Sequence, residues 1–413
     1  MGNGDMAPVL ALSGEEGPLG SVAMHDQPPL APDPLGLTRD GFVAEAAARG
    51  FSGAQALRAY RQVFREGARE VVSGGRVIAR AGVGAVGRTL EEETAEGTTV
   101  KFLQEVAGVE RGRLAERGGF ESLRVESVVI PMVGRKGVRT HSLCVSSQVG
   151  CAMGCGFCET AQMGLVRNLT AAEIVGQWFA ATHLLGARRR ISNIVFMGMG
   201  EPMDNYDAVC RAIRVLCEHD GPAVGASNIA VSTVGRIDGL AKLAELVGEP
   251  GFHRLGLAVS INAPNDEIRS RIMPVNRAMP MADLREALLA FPRRVGGKIC
   301  FEYVLIPGVN DEAEHARELA AYLEPFGARG GSRVPLGLVN LIPYNPRRDS
   351  PWRAPLEDEV ERFMGWLVEA GVYVKRRRTK GRAMMGACGQ LGAAEIRGRR
   401  VVSATVEGAR AGD

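Results

Sequence analysis

Residues 151–164 read CAMGCGFCETAQMG. Cys151, Cys155 and Cys158 fall in a three-then-two spacing that lets one loop wrap three thiolates around a single centre. Thiolates favour soft metals and iron–sulfur clusters. A structural zinc knot needs a fourth ligand, and no further Cys or His lies within a few residues, although His141 and Cys144 are not far upstream. A [4Fe–4S] cluster held by three protein thiolates leaves one iron open to an exogenous ligand. The zinc knot and the open cluster are the two readings of the loop, and what surrounds it favours the cluster.

On either side of the loop the chain alternates strand and helix. HSLCVSS, ISNIVFMGMG, SNIAVSTVG, HRLGLAVSINAP, KICFEYVLIPG and VPLGLVNLIPYN read as strands. AAEIVGQWFAATHLLG, YDAVCRAIRVLCE, IDGLAKLAELV, MADLREALLAFPRR, AEHARELAAYLEPF and LEDEVERFMGWLVEAG read as the helices that follow them. Some six β/α units in series predict a parallel sheet, doubly wound or closed to a full or partial barrel. Functional residues then collect at the C-terminal ends of the strands. Gly198-Met199-Gly200-Glu201-Pro202 ends one of them.

Upstream, residues 1–38 are rich in Gly, Pro and Asp without periodicity and read as a disordered tail. GFVAEAAARG and AQALRAYRQVFREGARE read as two short amphipathic helices, and VKFLQEV and LRVESVVIPMV as alternating strands. The domain expectation is a helical accessory domain at 39–105, connecting strands at 106–140, a barrel with a C-terminal cysteine segment at 141–395, and a tail at 396–413. Eight cysteines in 413 residues are too few for a disulfide scaffold. With no apolar run long enough to span a membrane and no export signal at the N-terminus, a reducing, cytoplasmic setting is expected. A net charge of +3 does not announce a nucleic-acid partner. Local charge is more suggestive: Arg188–Arg190, and the run from Lys375 to Arg382.

The three-then-two cysteine spacing is the signature of radical S-adenosylmethionine (SAM) enzymes, whose open iron binds the amino and carboxylate groups of SAM. One electron then cleaves SAM to a 5′-deoxyadenosyl radical. The resemblance narrows further. LCVSSQVGCAMGCGFCETAQMGLVRNLTAAEIVGQ, GMGEPMDNYDAV, VSINAPNDEIR, FEYVLIPGVND, NLIPYNP and ACGQL resemble, in order, the RlmN/Cfr family of RNA methyltransferases across roughly 124–395. The resemblance implies a partial (β/α)6 barrel with a small helical N-terminal accessory domain. It implies a [4Fe–4S] cluster on Cys151, Cys155 and Cys158, and two SAM molecules per turnover. SAM contacts are implied at Gly200, Glu201, Ser232, Ser260, Ile261, Asn262 and Asn345.

By the same resemblance, Cys388 receives a methyl group, and a radical drawn from that S-methyl adds to an adenine ring. Glu126 removes the ring proton. Cys144 attacks Cys388, releasing methylated RNA and leaving a disulfide bond. Adenine C2 and C8 are too weakly nucleophilic to take a methyl directly from SAM, which is why the cofactors carry the difficult step. The basic run from Lys375 to Arg382 is expected to lower the Cys388 pKa and to hold RNA phosphates. The implied substrate is an adenosine of 23S rRNA, and in some members of tRNA, with an electron donor such as flavodoxin. The target base would leave its stack to reach a buried site. Cys210, Cys217 and Cys300 are expected in the core.

Three features depart from the family pattern. Glu159 follows the third cysteine where Ser or Ala is common, Asn262 stands where His is usual, and KGRAMMG (380–386) replaces an acidic stretch before ACGQL. The leading reading is adenosine-C2 methylation. A C8-specific relative uses the same residues, and a zinc-stabilised RNA-binding protein is the non-enzymatic alternative.

Overall fold

The computed structural model describes residues 31–107, 123–134, 137–186, 190–292, 297–327, 335–377 and 385–392. Most of the expected tails, 1–38 and 396–413, lies outside these residues, as do Arg188, Arg189 and residues 378–384.

Two helices come first, α1 (Arg39–Ala48) and α2 (Gly53–Arg61). Ser52 and Gln55 close a reciprocal cap on α2, which satisfies N–H groups the helix leaves unpaired. The helical part of 39–105 stops at Glu66. Strands follow: the hairpin β1 (Glu70–Ser73) and β2 (Arg76–Arg80), then β3 (Val86–Thr94) and β4 (Gly97–Val106). An aromatic ladder of Phe42, Tyr60, Phe64 and Trp178 packs the two helices onto the rest of the chain, at ring separations of 5.6, 4.7 and 6.1 Å.

The remaining strands are β5 (Leu123–Val133), β6 (Arg139–Cys144), β7 (Gln148–Gly150), β8 (Leu165–Asn168), β9 (Ile191–Phe196), β10 (Ile229–Thr233), β11 (Gly256–Ser260), β12 (Ile299–Leu305), β13 (Gly337–Pro343) and β14 (Val374–Arg376). Between them run α3 (Ala171–Phe179), α4 (Tyr206–Cys217), α5 (Ile237–Gly248), α6 (Asp266–Ile272), α7 (Met281–Ala290), α8 (Ala313–Leu323) and α9 (Glu357–Glu369). One sheet holds ten strands in the order β14-β13-β12-β11-β10-β9-β6-β5-β4-β3.

From β14 to β6 every pairing is parallel, and from β6 to β3 every pairing is antiparallel. The parallel part is the expected α/β partial barrel. It does not close, since β14 and β3 are the two ends of the order. The antiparallel part extends the same sheet into the region read as accessory domain and connector. β4 is buried almost continuously, not in alternation, as befits a strand covered on both faces. Helices such as α4 and α5 bury one stripe, Val209, Ile213 and Leu216 on the former and Leu240, Leu243 and Leu246 on the latter. Among the described residues no helix is long and apolar enough to cross a membrane.

This topology places the C-terminal ends of β6, β9, β10, β11 and β13 together. Those ends carry Cys144, the GMGEP turn, Ser232, Ser260 with Asn262, and Asn345.

Candidate active site

The cysteine loop hangs from the short hairpin of β7 and β8. Cys151 N–H donates to Gly164 O (3.0 Å) and closes its base. Gly150 there has φ +77°, and a Cβ on it would sit 1.9 Å from Gly164 O, so only glycine fits. Farther along, Gly156 N–H donates to Ile272 O (2.9 Å), Arg347 Nε donates to Gly156 O (2.8 Å), and Gln162 Nε2 reaches the carbonyls of Cys155 and Cys158. The loop is thereby fixed from α6 and from the segment after β13.

All three cysteines line one cavity of about 140 Å³. Burial pushes each thiol up, and Cys151 and Cys155 are pushed further by Cys158 beside them. Protonated thiols crowded in this way suit a strongly cationic guest that takes them as thiolates. No three His, Cys, Asp or Glu side chains among the described residues gather tightly enough for a single metal ion. Three cysteines of one loop facing a single cavity fit a [4Fe–4S] cluster, which thiolates hold, with a position left for a further ligand.

The same cavity is lined by Gly200, Glu201, Ser232, Ser260, Asn262 and Asn345. Gly198 and Gly200 let the GMGEP turn pass over the strand opposite. A Cβ on Gly198 would meet Val145 O at 2.6 Å, and one on Gly200 (φ +100°) would meet Gln148 Cβ at 2.6 Å. Glu201 is buried and aimed: its carboxylate accepts from Met203 N–H (3.0 Å) and Val234 N–H (2.9 Å). Burial raises its pKa to about 7. Asn262 adopts the left-handed region (φ 56°), with its side-chain oxygen accepting from Val304 N–H (2.9 Å). Asn345 Oδ1 is buried without a hydrogen-bond partner. An orphaned amide oxygen at a cavity wall is what a donor on a ligand would satisfy. Ile261 is fully buried, does not line the cavity, and offers its carbonyl to Arg269 Nε (3.1 Å).

Ser232 and Ser260 hold a residue the sequence reading missed. Both hydroxyls donate to Glu302 Oε2, at 2.6 and 3.3 Å. Arg377 Nη1 lies 3.5 Å from the other oxygen of that carboxylate. The available signal was an acid inside the apolar strand ICFEYVL. Of the basic run, Arg376 pairs outward with Glu357, and Arg377 turns inward to the thiols.

A second cavity, of about 400 Å³, is lined by Cys144, Asn340, Arg377 and mostly apolar side chains, among them Ile130, Met132, Val195 and Leu391. Met197, Ile342, Asn345 and Cys388 line both cavities. Cys388 thus stands where the two meet. Burial pushes its thiol up while Arg377 pulls it down, and the net direction is upward. The expectation of a lowered pKa is therefore corrected: desolvation outweighs the single guanidinium that reaches it. Burial drives Cys144 up to about 12, with Cys388 adding to the rise.

The segment 385–392 that carries Cys388 is strapped at five points. Lys101 Nζ donates to Met385 O (2.9 Å), Glu159 N–H to Gly389 O (2.7 Å), and Gln390 Nε2 to Pro346 O (3.1 Å). Thr160 Oγ1 donates to Leu391 O (2.6 Å), and Gly392 N–H to Glu126 Oε2 (2.6 Å). Glu126 is fully buried, ion-paired with Lys101 at 2.8 Å, and lines neither cavity. Glu159 is also fully buried and accepts from Arg348 N–H (3.1 Å), so it belongs to this joint and does not face solvent. Arg190 sits at the start of β9, opposite the site end. Cys210 and Cys217 pack partly buried against the core, as expected. Cys300 is half-buried near Arg377 and Glu302.

Residues 145–320 match the family model described as the radical SAM superfamily. The chain is 41% identical over 282 residues to the probable dual-specificity RNA methyltransferase RlmN 1 of Protochlamydia amoebophila, covering 68% of this chain and 73% of that protein. It is 40% identical over 284 residues to the dual-specificity RNA methyltransferase RlmN of Campylobacter jejuni, covering 66% and 75%. The crystal structure of a radical SAM methyltransferase from Sphaerobacter thermophilus superposes with a TM-score of 0.70 at 34% identity, over 86% of this chain and 98% of that one.

Proposed function

The chain belongs to the RlmN family of radical SAM RNA methyltransferases, and from that membership we propose that it methylates C2 of an adenosine in 23S rRNA, with tRNA as the alternative or additional substrate, through an S-methylcysteine at Cys388. The observation that carries this reading is the position of Cys388 between the two cavities. One of them presents the three cluster cysteines, and the other presents Cys144 among apolar walls suited to a flat base.

Cys151, Cys155 and Cys158 would hold the cluster. Gly200, Glu201, Ser232, Ser260, Asn262 and Asn345 would seat SAM, with the Glu201 carboxylate toward its amino group, while Ile261, outside the cavity, would support them from behind. Cluster and SAM together supply the methyl group and the radical chemistry. The protein's own part is positioning and sulfur chemistry. Arg377 favours the Cys388 thiolate that accepts the methyl. Glu126 anchors the segment bearing Cys388 and lies outside both cavities, so to act as the base proposed for the ring proton it would first have to leave Lys101 and Gly392 N–H. Cys144 as a thiolate attacks the Cys388 sulfur, the electron pair of the bond from that sulfur to the RNA-bound carbon goes to that carbon, which takes up a proton to become the methyl group, and a Cys144–Cys388 disulfide remains. A donor of the flavodoxin kind supplies electrons, and a reducing cytoplasm resets the thiols.

The test is a pair of variants incubated anaerobically with reconstituted cluster, SAM and RNA. Cys144→Ala is expected to accumulate a covalent protein–RNA adduct on a denaturing gel. Cys388→Ala should give neither adduct nor methylated adenosine. Methyl transfer by Cys388→Ala would refute the relay, and mass spectrometry of digested nucleosides separates 2-methyl from 8-methyl product.

A further inference from the structure

Arg269, on α6, has no part in the chemistry above, yet it is fully buried. Its Nε donates to Ile261 O (3.1 Å), its Nη1 to Asn276 Oδ1 (2.8 Å), and its Nη2 to Val234 O (2.6 Å) and Ser260 O (3.2 Å). Each of these acceptors is neutral. The carboxylate of Asp266 is engaged instead by Asn276 Nδ2 and Met281 N–H, both at 2.8 Å, and Asp266 is exposed. A buried cation whose acceptors are all neutral is costly unless an anion lies within its field.

The helix bearing Arg269 is also the floor of the cysteine loop. Ile268, Ile272 and Met273 pack in one apolar cluster with Cys155 and Phe157, and Ile272 O accepts from Gly156 N–H (2.9 Å). Two of the carbonyls that Arg269 holds belong to Val234 and Ser260, which line the cavity of the three cysteines, so the guanidinium sits directly behind that cavity's wall. An iron–sulfur cube on three thiolates is anionic overall and gains one more negative charge on reduction. Net charge and nearby dipoles set its potential.

We propose that Arg269 is a positioning residue for the cluster's electron: its buried guanidinium, bonded to neutral acceptors, raises the reduction potential of the cluster held by Cys151, Cys155 and Cys158. The four hydrogen bonds fix the charge under the loop, so it is in place before the electron arrives. The proposal rests on the cluster reading given above, and its test separates the two.

Wild type, Arg269→Lys and Arg269→Gln are reconstituted anaerobically and titrated by mediated redox potentiometry with electron paramagnetic resonance, without RNA. At fixed poise Arg269→Gln should hold roughly tenfold less reduced cluster than wild type, about 59 mV for a one-electron couple. Arg269→Lys, which keeps the charge, should stay within about threefold of wild type. Arg269→Gln at full iron occupancy with an unchanged potential overturns the proposal while leaving the cluster reading intact. Should Arg269→Gln fail to fold, Asn276→Asp neutralises the guanidinium in place. The same downward shift is expected there, and its absence is equally fatal. Wild type that binds no iron sinks both readings.

Discussion

Replacing Lys101 by Met tests the strap that holds Cys388. The Lys101 side chain is 7% exposed and that of Glu126 is 0% exposed, and their charges are 2.8 Å apart. The ammonium also donates to Met385 O at 2.9 Å. Methionine keeps the stem's bulk and deletes the charge. Glu126 is then a fully buried carboxylate left with the Gly392 N–H at 2.6 Å. Removing one partner of a buried pair costs about 3–5 kcal/mol, because an uncompensated charge remains. Losing the bond to Met385 O adds about 1 kcal/mol. The double replacement Lys101→Met/Glu126→Gln removes the stranded charge, and glutamine still accepts from Gly392. It should therefore cost less than Lys101→Met alone, about 1–2 kcal/mol. The measurement is urea unfolding of the iron-free protein for wild type, both singles and the double. A parallel assay follows the alkylation rate of Cys388 in a Cys144→Ala background, expected to rise at least several-fold in Lys101→Met. A Lys101→Met cost below about 1 kcal/mol, or a double mutant less stable than that single, would refute the account.

Further outcomes follow from the same geometry. Gly200→Ala forces a Cβ to within 2.6 Å of Gln148 Cβ at φ +100° and should abolish SAM binding by calorimetry, with a stability loss of about 1–3 kcal/mol. Retained SAM affinity would mean that the turn is not shaped as described. Glu201 has a folded pKa near 7 against 4.5 when unfolded, so the native state binds the extra proton. Stability of the iron-free protein should accordingly fall, by roughly 3 kcal/mol from this group, as pH rises from 4.5 through 7. Urea midpoints should show that slope in wild type, and Glu201→Gln should lose it; an equal slope in both rejects the assignment. Glu159→Ala leaves Arg348 N–H without its acceptor, at about 1–3 kcal/mol, and should speed alkylation of Cys388. No change in either would return Glu159 to a passive place in the loop.

What the sequence disclosed follows from how parallel sheets are built. ISNIVF and KICFEYVL are short apolar runs between helical patterns, and the strand-end residues follow each run directly. Strand-end position made Ser232, Ser260, Asn262 and Asn345 compatible with a common cavity, and the family resemblance was what singled them out. The pairing of β5 with β6 could not, because strand pairing is a long-range choice that alternation alone does not reveal. α6 has no counterpart among the elements read from the sequence: DEIRSRI is seven residues with no clear apolar stripe, and its meaning lies in what it supports. Glu302 and Ser232 meet across 70 residues, and no local pattern announces that carboxylate. The run from Lys375 to Arg382 reads both as a phosphate site and as a cationic neighbour of Cys388, and only folding shows that Arg377 is the member that turns inward. Glu126 was noticed for its position in RVESVVIP, but its tie to Gly392 spans 266 residues.

The strap also has a history within each molecule. Thr160, two residues after Cys158, is bonded to Leu391, 231 residues farther along. At synthesis rates of about 5–20 residues per second, the loop emerges tens of seconds before the segment that covers it. Through that interval Glu159 N–H and Thr160 Oγ1 lack the Gly389 and Leu391 carbonyls that later accept from them. Truncating the chain before Met385 keeps that interval open indefinitely.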